Sequence, residues 1–107
     1  MNGLSYTLRD AQHLSWKTFK KIDEPKIENW TPDVMVTDLV QETGKIVSIV
    51  KELEGFKPSE KPETKEMLAA KFCDLLYMVF VLAECHGINL EETFLQAVND
   101  RVLSNIR

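Results

Sequence analysis

The sequence predicts an all-α fold, a four-helix bundle, on three observations. Apolar residues recur at intervals of three and four along most of the 107 residues. No run alternates apolar and polar β-branched residues between turn signals, as a strand would require. The periodic segments are separated by helix punctuation: Asp23-Glu24-Pro25, Gly55 to Pro62, and Gly87.

The first helix is expected from about Thr7 to Ile22, with Leu8, Ala11, Leu14, Phe19 and Ile22 near one face and Pro25 ending it. The second opens at Thr31-Pro32-Asp33. There a hydroxyl can cap the helix, proline suits the first helical position, and an acid meets the positive end of the dipole. Its apolar stripe is Val36, Leu39, Val40, Ile46, Val47, Val50 and Leu53, and Gly55 stops it. The segment from Gly55 to Pro62 carries two prolines and mixed charge, and reads as a solvated linker.

The third helix is expected from about Glu63 to His86. It is apolar on more than one face through its middle, which suits a central helix covered by its own chain and by a partner. Gly87 stops it, and His86 near its end suits the negative pole of the dipole. Asn89 with Glu92 three residues later opens the fourth helix as a variant capping box. Leu90, Phe94, Leu95, Val98, Val102 and Ile106 give it a stripe.

Length and charge exclude several function classes. The chain is long enough for one helical domain, residues 1–107, and short enough that pairing with a second copy would help to bury apolar helices. A net charge of −4 offers no basic field to a nucleic-acid backbone. Cys73 and Cys85 lie on one predicted helix, roughly 18 Å apart at its rise per residue, so they read as reduced core thiols suited to a cytosol. Met1 to Arg9 has no apolar core of a leader, and the run beginning at Phe72 is too short to span a bilayer; a cytoplasmic protein without membrane contact is expected. No glycine-rich phosphate loop, Cys-x-x-Cys pair or Ser-His-Asp order is present, and His13 and His86 lack metal-ligand spacing.

Asp74 is the charge that needs explaining. It stands alone in Phe72 to Ala83, and a carboxylate buried there without a cation, metal or donors would cost several kcal/mol (about that of an unpaired buried charge) or become protonated. Lys71 precedes it by three residues. Glu42 and Lys45 repeat that spacing around Gly44 in the second helix. Each pair alone could be an ordinary surface contact at i,i+3. Together they pose two alternatives: a metal site, or a site in which ammonium groups have replaced the metal.

The segment Leu39-Val40-Gln41-Glu42-Thr43-Gly44-Lys45-Ile46, the stretch Leu68 to Val79, and Leu82 to Glu92 with its His86-Gly87-Ile88-Asn89-Leu90-Glu91-Glu92 run carry a resemblance. Together, over about Trp30 to Arg101, they resemble the all-α nucleoside triphosphate pyrophosphohydrolases of the MazG type. The resemblance implies a four-helix bundle that assembles as a dimer or dimer of dimers. It also implies Mg²⁺-dependent cleavage of NTPs or dNTPs to the monophosphate and pyrophosphate. The family's Glu-Glu-x-x-Glu motif falls on Gln41, Glu42 and Lys45, and its Glu-Glu-x-x-Asp motif on Ala70, Lys71 and Asp74. Glu42 and Asp74 are thereby the implied catalytic, metal-holding acids. Mg²⁺ demands oxygen ligands, and two acids facing two ammonium groups compensate each other, so Lys45 and Lys71 are expected to make the set a poor Mg²⁺ cage.

Three readings follow. Lys45 and Lys71 neutralise the acids or reach nucleotide phosphates in a chain whose hydrolysis is weak or lost. Alternatively Asp38, one turn before Glu42, joins Glu42 and Asp74 as metal ligands in a rearranged active enzyme. A third reading is a dimeric regulatory or structural protein. The family's phosphate-holding positions fall on Ala97 and Arg101, which makes Arg101 a candidate phosphate contact. Trp30 is a candidate base-stacking residue, and equally a hydrophobic staple before the second helix. Gly44, costing roughly 1 kcal/mol in a helix interior, is expected to mark a close helix crossing.

Overall fold

The computed structural model describes residues 5–56 and 64–106. It is all-α: four α-helices, with a π-type turn and a short 3₁₀ turn after the first, and no strand among the described residues. Two compact units are distinguished, Asn29–Val79 and the paired segments Met1–Glu28 and Phe80–Arg107.

In the paired segments, α1 runs Leu8–Thr18. Its start is set by a capping box that satisfies two otherwise orphaned N–H groups: Asp10 N–H donates to Thr7 Oγ1 and Thr7 N–H to the Asp10 carboxylate, both at 3.0 Å. Those contacts hold the Asp10 carboxyl below its ordinary range, the Thr7 backbone N–H being the larger cause. The α-helical winding stops earlier than the sequence suggests. A π-type turn spans Phe19–Asp23 and a 3₁₀ turn Glu24–Lys26, accommodating Pro25, which cannot donate to a continuing helix.

The inward face of this first helical segment agrees with the expected one at Leu8, Ala11 and Phe19 and departs from it elsewhere. Gln12 and Phe19 are buried, while Leu14 and Ile22 are exposed. Phe19 stacks on Trp16 with ring centroids 6.4 Å apart, and Lys20 Nζ stands 5.4 Å above the Trp16 ring. Gln12 is 1% exposed yet fully occupied. Its amide nitrogen donates to Ile88 O at 2.7 Å and Glu84 Oε1 at 3.1 Å, and its oxygen accepts from Leu90 N–H at 3.1 Å. One side chain thus ties α1 to the turn that joins the last two helices.

That turn is built as expected. α3 ends at Cys85, Gly87 takes φ +65°, Ile88 N–H reaches back to Ala83 O at 2.9 Å and Gly87 N–H to Glu84 O at 3.2 Å: a Schellman motif. His86 Nδ1 lies 2.8 Å from Leu82 O, so its ring also serves the helix end. Asn89 Oδ1 caps α4, Leu90–Ile106, by accepting from Glu92 N–H at 3.4 Å. The α4 stripe is not buried: Phe94, Leu95, Val98 and Val102 are exposed.

In Asn29–Val79, α2 runs Pro32–Leu53 with Pro32 at its first position. Thr31 is the N-cap residue but makes no capping bond, because its hydroxyl is hydrogen-bonded to the Asp33 carboxylate instead. Gly55 at φ +79° closes α2 with a second Schellman pair, Phe56 N–H to Lys51 O at 2.8 Å and Gly55 N–H to Glu52 O at 3.0 Å. α3 runs Lys65–Cys85 and is capped by Thr64 Oγ1, which accepts from Met67 N–H at 3.2 Å. The expected start at Glu63 and the linker lysines Lys57 and Lys61 lie outside the described residues. Cys73, expected in the core, is exposed, Cys85 is half-buried, and both are free. Burial pushes the Cys85 thiol up.

Candidate functional site between the second and third helices

The covered face of α2 recurs as Met35, Leu39, Glu42, Ile46 and Ile49, three or four residues apart, with Met35 and Ile49 buried. Val36, Val40, Val47, Val50 and Leu53, five of the residues expected in its stripe, are exposed. Glu42 therefore occupies a core-facing position, and its side chain is 14% exposed. In the part of α3 that belongs to this unit, Leu68, Lys71, Leu75 and Met78 are half-covered at intervals of three or four, as are Tyr77 and Val79. An acid and a base stand on facing apolar stripes.

They meet. Lys71 Nζ lies 3.1 Å from Glu42 Oε2, and Lys45 Nζ 3.1 Å from Glu42 Oε1. Lys71 Nζ is also 4.0 Å from Asp74 Oδ2. The four groups form a chain of alternating sign, Lys45, Glu42, Lys71, Asp74, which divides one carboxylate between two ammonium groups. Both lysines hold the Glu42 carboxyl below its ordinary value, Lys45 first and Lys71 second, against an opposing push from burial. Oε2 is shut off from solvent and makes an ion pair with Lys71 without an aligned hydrogen bond.

The more covered acid is thus Glu42, and not Asp74, whose side chain is 57% exposed. Asp74 was expected to be enclosed because its neighbours are apolar. Phe72 and Leu76 beside it are exposed as well, so this part of the apolar run is uncovered in the single chain.

The acids do not fit a dication cage. Among the described residues no three His, Cys, Asp or Glu side chains converge on a point where an ion could sit. Asp38 is exposed on α2, and the ammonium of Lys71 stands within pairing distance of both Glu42 and Asp74. An ion that needs about six oxygen ligands would have to displace that amine first.

Beside the cluster a cleft of about 190 Å³ is lined by Lys45, Ser48, Ile49, Met67 and Lys71. Ser48, Ile49 and Met67 were not singled out from the sequence. Their only signal is spacing: Ser48 follows Lys45 by three residues and Met67 precedes Lys71 by four. Trp30 is half-buried at the position before the α2 cap, with Met35 buried one turn inside the helix, the two places a hydrophobic staple uses. Arg101 is exposed on α4 in the other unit and enters no ion pair among the described residues. Among the described residues nothing beyond its own helix turn and chain neighbours comes within 4 Å of where a Gly44 Cβ would stand, so none of them makes the expected close crossing.

No family model matches this chain, and no curated protein sequence matches it. Among solved structures, the crystal structure of YPJD from Bacillus subtilis, a protein provisionally described as a pyrophosphatase, aligns with a TM-score of 0.69 at 24% identity. The alignment covers 95% of this chain and 96% of that one, which establishes a shared all-helical fold.

Proposed function

We propose that this chain is a nucleotide-handling relative of the MazG-type pyrophosphohydrolases in which Mg²⁺-dependent hydrolysis is weak or lost. Support comes from the fold shared with a protein provisionally described as a pyrophosphatase, and from the residues of the α2 and α3 motifs. The observation that carries the reading is the place of Lys71: its ammonium lies 3.1 Å from Glu42 and 4.0 Å from Asp74, the two acids that the family resemblance assigns to metal. A tethered cation already compensates them, so a dication gains little attraction and must first pull the carboxylates from their lysines.

Self-association belongs to the same proposal. Val36, Val40 and Val47 present an exposed apolar face on α2, and Gly44 lies in that stretch with open space above it. A second copy packed against it would supply the close approach for which a helix-interior glycine is suited. Analytical ultracentrifugation tests this, and a monomer at micromolar concentration would refute it.

The functional reading is tested by following pyrophosphate release from a panel of NTPs and dNTPs with Mg²⁺, alongside calorimetry with Mg²⁺ alone. The expected result is slow or undetectable release and feeble metal binding. Rapid release with tight Mg²⁺ uptake would overturn it.

A further inference from the structure

We propose that the cleft beside Glu42 is a metal-independent oxyanion site, selective for a diphosphate group that Lys45 and Lys71 bind directly. The inference rests on the reading of this chain as nucleotide-handling, and names what its site takes.

The lining has the chemistry for it. Lys45, Lys71 and Ser48 border the cleft, whereas neither Glu42 nor Asp74 is among its lining residues. Glu42 grips one lysine through each oxygen, both at 3.1 Å, so the two long side chains are held at neighbouring points before any ligand arrives. Ordering a lysine costs rotamer entropy, and a carboxylate that has already ordered two of them lowers what an anion must overcome. Each ammonium has three donors, so contact with Glu42 leaves capacity for a phosphate oxygen. The paired acids leave the cluster without net charge, so attraction is short-ranged and affinity modest rather than tight.

Size sets the class. At about 190 Å³ the cleft is smaller than the ~300 Å³ from which small-molecule pockets usually begin, a size that suits a phosphate chain rather than a whole nucleotide. Ile49 and Met67 give it apolar walls that offer nothing to a sugar or a hydrogen-bonding base edge. The diphosphate is either free pyrophosphate or the end of a nucleoside di- or triphosphate; in the second case the nucleoside lies outside the cleft.

Calorimetry in EDTA with pyrophosphate, ADP, ATP and adenosine separates these sources. The proposal expects pyrophosphate, ADP and ATP to bind within a few-fold of one another, with no heat from adenosine. Added salt should weaken binding. Lys45 is largely exposed, so K45M is expected to fold, and it should weaken pyrophosphate about tenfold, the worth of one charged hydrogen bond, while K45R restores most of it. Binding that requires Mg²⁺, binding of adenosine equal to that of ADP, unchanged affinity in K45M, or no heat from any phosphate in EDTA would each overturn the site. The last result with hydrolysis also undetectable leaves the functional reading standing. Rapid Mg²⁺-dependent hydrolysis with retained binding in EDTA would end that reading and spare this one.

Discussion

Lys71 closes an enclosed oxygen of Glu42: its ammonium nitrogen lies 3.1 Å from Oε2, an atom with no access to water. The contact joins the covered faces of α2 and α3, and it sets the charge balance of the cluster. Glu42 without Lys71 would be an enclosed carboxylate with Lys45 alone for compensation.

Changing Lys45 and Lys71 together to glutamate should create metal affinity. The double variant replaces two cations by two anions around Glu42 and Asp74, turning a self-compensated set into four carboxylates that repel one another until a dication arrives. Titration with Mg²⁺ or Mn²⁺ should show binding far stronger than in the parent, and a melting temperature that rises with metal. Equal, feeble binding in both proteins would mean that these positions do not form a cage.

Acid should dissolve the Glu42 pairs. Its carboxyl is held below the ordinary 4.5, so the stability it contributes is fully present above that value and is lost as pH falls through the lowered folded value. In thermal melts between neutral and acidic pH, E42Q should therefore lose less stability than the parent below about pH 4.5. Parallel curves would show that the pairing contributes nothing to folding.

Removing the Gln12 amide should be costly out of proportion to its polarity. Q12A would leave Leu90 N–H and Ile88 O without their partner and open a void where a 1% exposed side chain stood. A loss of about 3 kcal/mol in urea unfolding is expected, combining the cavity with the orphaned groups. A loss below about 1 kcal/mol would place the clamp among the dispensable contacts.

Gly44 and Gly87 should respond oppositely to alanine. G44A meets no atom within 4 Å and removes a flexible residue from a helix interior, so the isolated chain should gain about 1 kcal/mol. If the α2 face seats a second copy, the same change should weaken self-association, which sedimentation would read. G87A forces φ +65° on a residue with a Cβ and should lose about 1 kcal/mol.

Much of the fold was legible because it depends on local rules. Pro32 opening α2, the glycine stops at Gly55 and Gly87, and Asn89 before α4 all rest on the geometry of a helix end, which a few adjacent residues satisfy alone. The pairings at i,i+3 of Glu42 with Lys45 and of Lys71 with Asp74 follow equally from helical spacing.

Which apolar residues are covered was not legible. A helix with apolar residues on two faces does not say which one meets its own chain, and α2 buries Met35 and Ile49 while Val40 and Val47 stay outside. The same ambiguity made Asp74 look enclosed, whereas its side chain is 57% exposed and that of Glu42 only 14%. Gln12 gave no warning, since a glutamine on a helix ordinarily faces water. Its burial depends on donors and acceptors seventy-odd residues away in the chain, at Glu84, Ile88 and Leu90.

The chain's own residues are enough to specify its helices and the pairs within each, because hydrogen bonds across one turn involve near neighbours. The contact between Lys71 and Glu42, the exposure of Asp74 and the cleft beside Lys45 arise only when separate helices are brought face to face. Packing, which decides what water can reach, assigned those roles.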